Sequence, residues 1–194
     1  MTELRLFTGD AILAALDDLA RLRIAVFAAW PYLYEGDIEY ERLYLREFAA
    51  APQALIVAAC EGGVIVGAAT ASLMSVQKEE ISQPFKTVDG DISRYFYFGE
   101  SVLLPEWRGQ GIGHAFFDHR ENHARACGAR CAAFAAVIRA ADHPARPAGY
   151  VPLDAFWRKR GYAPVPGAVM NLSWKDHGET QESGKPLQCW TRRL

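Results

Sequence analysis

The sequence predicts a mixed α/β fold of the α+β kind, a twisted mixed sheet of about seven strands with helices on both faces. Three observations predict it. Two near-continuous apolar runs, Ala54 to Cys60 and Cys131 to Ile138, have the composition of strands buried on both faces. Two segments, 11–29 and 38–50, repeat apolar residues at helical spacing. Between the apolar runs, from Tyr95 to Gly128, an aromatic strand passes through a glycine-rich turn into a helix. The elements read β, α, α, β, β, β, α, β, α, β, β. A chain of 194 residues is long enough to bury a full core, and a single domain over 1–194 is expected.

Leu4 to Phe7 alternates as a first strand, and Asp10 is a candidate N-cap for the helix that follows. In that helix, Ala11 to Ala29, the residues Ile12, Leu13, Leu16, Leu19, Leu22, Val26 and Phe27 form the apolar face. Asp17 and Asp18 face outward, and Pro31 ends the helix. The stretch from Trp30 to Asp37 is aromatic, acidic and irregular. A second helix covers Ile38 to Ala50, with Tyr40, Leu43, Tyr44 and Phe48 on one face. Ala54 to Cys60 and Val64 to Met74 form a hairpin around Glu61-Gly62-Gly63, and Gly67 marks a bulge. Residues 76–93 are polar and mixed, and read as an insertion with one short helical piece.

The strand Tyr95 to Leu104 and its helix come next. After Gly128 follow the Cys131 to Ile138 strand and a loop, 140–152, with three prolines, long enough to be functional or mobile. A short helix, Leu153 to Arg160, stops at Gly161. Two strands, Ala168 to Lys175 and Leu187 to Arg193, close the chain around a polar loop expected to be exposed and flexible.

Charge and composition narrow the function. The apolar share is 51%, the charged share 23% and the formal net charge −2, so neither nucleic acid nor an anionic membrane is an expected partner. No apolar run approaches the ~20 residues of a membrane span. The charged N-terminal stretch lacks a signal-peptide core, so a cytoplasmic location is expected. Cys60, Cys127, Cys131 and Cys189 form no metal-ligand spacing, and no metal is expected.

The turn Arg108-Gly109-Gln110-Gly111-Ile112-Gly113 sits where a helix begins. The first helical N–H groups lack partners there and the helix dipole is positive. Glycines let an anion approach the backbone, and Arg108 adds a cation. A diphosphate or similar anion is implied. The dinucleotide fingerprint fails because its last glycine would fall on His114, and the Walker pattern fails for want of a lysine. What remains is Arg-x-x-Gly-x-Gly after Val102-Leu103-Leu104-Pro105. This resembles the GNAT family of acetyl-CoA-dependent N-acetyltransferases. The hairpin VAACEGGVIVGAATASL is similar to the family's second and third strands, and Phe156, Lys159, Gly161 and Tyr162 fit its later motif.

The resemblance implies acetyl-CoA as cosubstrate. Backbone groups of Val102, Leu103 and Leu104 would hold the pantetheine arm. The turn from Arg108 through Gly109, Gln110, Gly111, Ile112 and Gly113 to His114 would hold the phosphates. It also implies an N-acetyltransferase acting on an amine; a small-molecule primary amine is the expected acceptor, and a homodimer is allowed. A protein or peptide amine, or a module that binds CoA without transfer, are the alternatives. Two departures stand out: Tyr150 replaces an asparagine the family often has, and Trp157 replaces a tyrosine that protonates the leaving thiolate. An indole N–H has no useful acidity.

Acetyl transfer needs a deprotonated amine. Glu100, a carboxylate in an apolar strand, is the expected base, since burial of such a group is costly unless it is paired. The alternative is a sheet residue paired with an arginine across the strands. Tyr97, Ser101 and Tyr150 are the other proton-transfer candidates. Trp30, Tyr32, Tyr34, Glu35, Asp37, Asp142 and His143 fall where the resemblance puts the acceptor. Aromatic faces and carboxylates attract an ammonium group.

Overall fold

The apolar run of the second strand finds partners on both edges, as its composition demands. In the computed structural model, which describes residues 2–194, β2 (Leu55–Glu61) lies between β1 (Glu3–Phe7) and β3 (Val64–Leu73), antiparallel to both. The sheet continues through β4 (Tyr95–Tyr97), antiparallel to β3, and β6 (Cys131–Val137), parallel to β4. It then runs through β8 (Ser183–Arg193) to β7 (Ala163–Trp174), both pairings antiparallel. A short strand, β5 (Ser101–Leu103), pairs with β3 alone. The mixed, mostly antiparallel sheet therefore has eight strands. The eighth arises because the predicted strand Tyr95 to Leu104 is broken into β4 and β5.

Helices cover both faces. The helices α1 (Asp10–Ala14), α2 (Leu16–Phe27) and α3 (Ile38–Ala50) pack over one end of the first face, burying Ile12, Leu19, Leu22 and Leu45 against Ile56, Ala68 and Val102. The single helix expected over 11–29 divides at Ala15 (φ −101°, ψ 8°). Asp17 and Asp18 fall in the first turn of α2, where the helix dipole favours negative charge. Asp10 opens α1 without making a capping bond. α4 (Glu79–Asp89) lies within the expected insertion and is a full helix, which buries Phe85 with Met74, Tyr95 and Met170. Pro84 inside it hides the helix in the sequence, since proline is disfavoured in a helix interior. α5 (Ile112–Ala126) and α6 (Asp154–Lys159) cover the opposite face, burying Phe116, Phe117 and Tyr162. β7 and β8 are longer than expected, and the loop between them is tied by Glu179, which accepts from Asp176 N at 3.0 Å and Lys185 Nζ at 3.1 Å.

The break between β4 and β5 has a specific cause. Tyr97 lies opposite Ser72 and Ser101 opposite Ala69, so the β4–β5 strand carries one residue more than β3 over this span. This is a β-bulge, which bends the strand and re-aims its side chains. Gly99 sits in it because a Cβ there would lie 2.7 Å from Thr70 Oγ1. That hydroxyl accepts from Glu100 N at 3.1 Å. The bend separates β5 from β6, and the sheet opens in a splay whose mouth is Gly99-Glu100. A second bulge lies between Ala59 and Cys60, opposite Gly67 on β3. The bulge expected at Gly67 is thus present.

Replacing Gly99 with alanine should cost about 1–3 kcal/mol, the usual penalty of overpacking. Thr70→Ala should recover part of it by removing the clashing oxygen. Denaturant melts of the two single variants and the double variant measure this. Simple additivity would show that the Thr70 contact does not set the choice of glycine.

Candidate active site

At one side of the splay, the chain winds into α5. Trp107 N and Arg108 N donate to Leu104 O and Pro105 O, both at 3.1 Å. Gly109 (φ 77°) and Gly111 (φ 84°, preceding α5) are left-handed, a conformation that costs other L-residues about 1–2 kcal/mol. A Cβ at either would meet nothing within 4 Å, so backbone conformation demands glycine and the space in front stays open. Among the described residues, the amides of Gly109, Gln110, Gly111, Ile112 and Gly113 have no protein acceptor. They lie at the start of α5, the positive end of the helix dipole. The expected set shifts by one, because His114 N donates to Gly111 O at 3.0 Å. The His114 ring is turned aside, 3.2 Å from Arg160 Nη1 and 4.8 Å from the Phe156 ring. Arg108 folds back, with Nε donating to Leu103 O at 3.1 Å, and stays exposed.

β5 supplies the next wall. Thr70 N donates to Glu100 O and Leu104 N to Val66 O, both at 3.0 Å. In an antiparallel ladder these partners alternate, so Val102 also turns its backbone groups toward β3. Ser101 and Leu103 turn theirs toward the splay. Of the three residues expected to offer backbone bonds, Val102 and Leu104 are used by the sheet, and only Leu103 faces outward.

Arg120, which no motif singled out, holds this wall from beneath. It is 1% exposed. Its guanidinium donates to Glu100 O (3.2 Å), Thr70 O (3.3 Å) and Ser101 Oγ (2.9 Å), and lies 4.5 Å from the Phe98 ring. Burial pulls its pKa down to about 10, while the nearby Tyr162 and Glu100 oppose the fall. Its place was visible in the spacing of Phe116, Arg120 and Ala124, which share the buried stripe of α5.

Glu100 is not a lone carboxylate. Arg23 of α2 pairs with it and also with Glu41 of α3, and the Tyr44 hydroxyl donates to Glu100 Oε2 at 3.1 Å. The side chains of Arg23, Glu41 and Glu100 are 11%, 1% and 9% exposed. Burial disfavours the Arg23 charge, but Glu100, Tyr44 and Glu41 outweigh it and hold the pKa above the ordinary arginine value. Arg23 and Glu41 lie on the buried stripes of their helices, the signal that could have found them.

Around this trio the structure gathers most of the predicted aromatic residues. Tyr32 packs on Phe27 (4.7 Å between ring centroids) and Trp174 (5.8 Å). Burial pushes its pKa up to about 12, helped by nearby Glu100 and Tyr150. Tyr97 and Tyr44 are raised by burial and then, respectively, by Tyr32 and by Glu100. Tyr34 is raised by burial and by Glu41. Trp30 packs on His143 (5.1 Å) and edge-on against Tyr150 (5.9 Å), and its buried indole N–H has no acceptor among the described residues. Arg139 fixes the loop, donating to Pro31 O (2.8 Å), Tyr32 O (2.6 Å) and both oxygens of Asp176 (2.7 and 3.0 Å).

Two of the acidic residues expected beside them are engaged elsewhere. Asp37 is exposed and accepts from Tyr40 N at 2.8 Å as the N-cap of α3. Glu35 pairs with Lys175 at 2.9 Å, and Asp142 is exposed on its loop. Trp157 packs on Phe134 (5.1 Å) and Trp190 (5.2 Å), as a packing ring in place of an acid. Among the described residues, no cluster of three or more His, Cys, Asp or Glu could hold a metal, and no helix is long and apolar enough to cross a membrane.

The profile of the Acetyltransferase (GNAT) family matches residues 20–162. No curated protein sequence matches the chain. Among solved structures, the chain is similar to an acetyltransferase of the GNAT family from Streptococcus pneumoniae, with TM-score 0.61, 12% identity and 100% of each chain covered. It is similar to a ribosomal-protein-alanine N-acetyltransferase from Brucella melitensis, with TM-score 0.59, 17% identity and 99% of each chain covered. A Salmonella typhimurium protein described as an acetyltransferase, solved with its cofactor acetyl-CoA, has TM-score 0.59 at 14% identity, covering 100% of this chain and 94% of that one. Identities this low speak for the fold alone.

Replacing Arg23 with methionine should cost about 3–5 kcal/mol near neutral pH, because two buried carboxylates lose their shared cation. Arg23→Lys, which keeps the charge but not the fork that reaches both carboxylates, should recover part of it. Urea melts of the two variants measure this, and a lysine variant no more stable than the methionine one would show that lost packing, rather than charge, is responsible.

Proposed function

Because the chain belongs to the GNAT acetyltransferase family, we propose that it transfers an acetyl group from acetyl-CoA to the primary amine of a small molecule. The observation that carries this reading is the row of unpartnered amides from Gly109 to Gly113 at the start of α5, beside the open edge of β5. Such a row suits the diphosphate of CoA, and donors fixed in advance cost little reorganisation. The Leu103 N–H and the backbone groups of Ser101 would pair with the amides of a pantetheine arm lying along β5. That path leads to Glu100 at the mouth of the splay.

Glu100 is the proposed proton acceptor for the attacking amine. Each of its oxygens keeps a lone pair beyond the Arg23 and Tyr44 bonds, and a carboxylate can accept four. Tyr97 and Tyr150 are the remaining proton-transfer candidates. Both are raised chiefly by burial, so both are neutral donors near pH 7. A thiolate leaves readily, so Trp157 is compatible with turnover. One second reading has an observation behind it: with Trp157 in a packing role and Glu100 paired to Arg23, the chain would bind CoA without transfer. Thiol release in the presence of amines separates the two.

Gly111→Val should abolish measurable acetyl-CoA binding by calorimetry, because valine resists the left-handed φ and blocks the approach to the amides. Unchanged affinity would remove the basis of the cofactor site. Glu100→Gln should lower turnover by roughly 10²–10⁴-fold with acetyl-CoA affinity retained. The fold should survive, since Glu41 still pairs with Arg23. Near-normal turnover in that variant would move the proton acceptor to Tyr97 or Tyr150.

A further inference from the structure

The carboxylate at the mouth of the splay is gripped by two side chains of different kinds. Arg23 Nη1 donates to Glu100 Oε1, and the Tyr44 hydroxyl donates to Oε2 at 3.1 Å. The main chain of the same residue is fixed as well. Glu100 N donates to Thr70 Oγ1 at 3.1 Å, and Arg120 donates to Glu100 O at 3.2 Å. Tyr44 is itself held in place. Its ring stacks with Phe48 at 6.3 Å and lies 4.2 Å from the Arg23 guanidinium. A Cβ at Gly99 would stand 3.8 Å from its oxygen, so the hydroxyl abuts the bulge.

These side chains respond differently when a proton arrives. A guanidinium has N–H donors and no acceptor. A hydrogen on Oε1 would compete with the Arg23 N–H and cancel the charge that pairs with it. A phenol hydroxyl both donates and accepts. Burial, and then the Glu100 charge, hold Tyr44 well above the ordinary tyrosine value, so its hydroxyl stays neutral. It donates to Oε2 while the carboxylate is ionised, and by turning its hydrogen it accepts from Oε2 once the proton is there. The bond is kept in both states, so the step strands no buried polar group.

We propose that Tyr44 is a positioning residue of the transfer reaction, which fixes the Glu100 carboxylate and makes Oε2 the oxygen that takes the proton. This rests on the acetyltransferase reading with Glu100 as proton acceptor, and deepens it. In the step, an N–H bond of the acceptor's ammonium group breaks and an O–H bond forms at Oε2. The electron pair stays on nitrogen, which becomes the nucleophile. Arg23 keeps its bonds to Oε1 and to Glu41 throughout.

Tyr44→Phe removes the hydroxyl and keeps the ring between Phe48 and Arg23. Turnover is measured with acetyl-CoA and the best acceptor among butylamine, phenethylamine, spermidine, kanamycin and a peptide with a free N-terminal alanine. The variant's kcat should fall by about ten- to a hundredfold, the range for a lost hydrogen bond to a charged group. The KM for the amine and the calorimetric affinity for acetyl-CoA should hardly move, which also shows that the variant is folded. In a Glu100→Gln background the same change should alter the residual kcat by less than about twofold, because a group that acts only through the Glu100 carboxylate has nothing left to position. A full additional loss in that background would make Tyr44 a packing residue and overturn the inference. An unchanged kcat in Tyr44→Phe would also overturn it. Either result leaves the acetyltransferase reading intact. A wild type that binds acetyl-CoA and acetylates none of these amines defeats that reading, and the inference with it.

Discussion

The architecture of the site depends on one extra residue in one strand. The bulge between Tyr97 and Ser101 lets β4 pair with β6 while β5 follows β3 alone. Without it, β5 would stay in the ladder and the backbone groups of Ser101 and Leu103 would be consumed by a neighbour. The bulge is kept in place from two sides. Thr70 receives the Glu100 amide above it, and the Arg120 guanidinium gathers the Thr70 and Glu100 carbonyls below. A buried guanidinium tolerates its desolvation only when its donors are matched. The open edge and the buried cation therefore stabilise each other.

The bulge also decides where charge appears. By delivering the Glu100 side chain to the α2 and α3 side, it brings a carboxylate to Arg23, which already serves Glu41. Three charged side chains, Arg23, Glu41 and Glu100, share this buried space, and the Arg120 guanidinium donates to the Glu100 carbonyl. Loss of Arg23 leaves both carboxylates uncompensated, so the helical layer and the sheet are locked through this point as well as through apolar contact. The neutral hydroxyls of Tyr32, Tyr44 and Tyr97 complete the surroundings.

The two sides of the splay are built by different means. The first is backbone: left-handed glycines, free amides and an open strand edge, all within a short stretch of sequence. The second is assembled from side chains on α2, α3, β4, β5 and the loops 28–37 and 138–153, distant in sequence and joined by Arg23 and Arg139. That difference explains how much of each could be read in advance.

The sequence by itself determined the mixed sheet with helices on both faces, because apolar runs and helical periods are local signals of burial. It also determined the glycine-rich turn into α5, because a left-handed glycine before a helix is a local backbone requirement that Gly109 and Gly111 meet. Tertiary structure alone decided the rest. The split of Tyr95 to Leu104 depends on the register against β3, which no residue in that stretch encodes by itself. The partners of Glu100 come from Arg23 and Tyr44, 77 and 56 residues away in the chain. Asp37 and Glu35, expected on the acceptor side, meet a helix cap and Lys175 in the folded chain. Sequence reports what a charged residue is, whereas only the folded chain decides which opposite charge or bare amide it will meet.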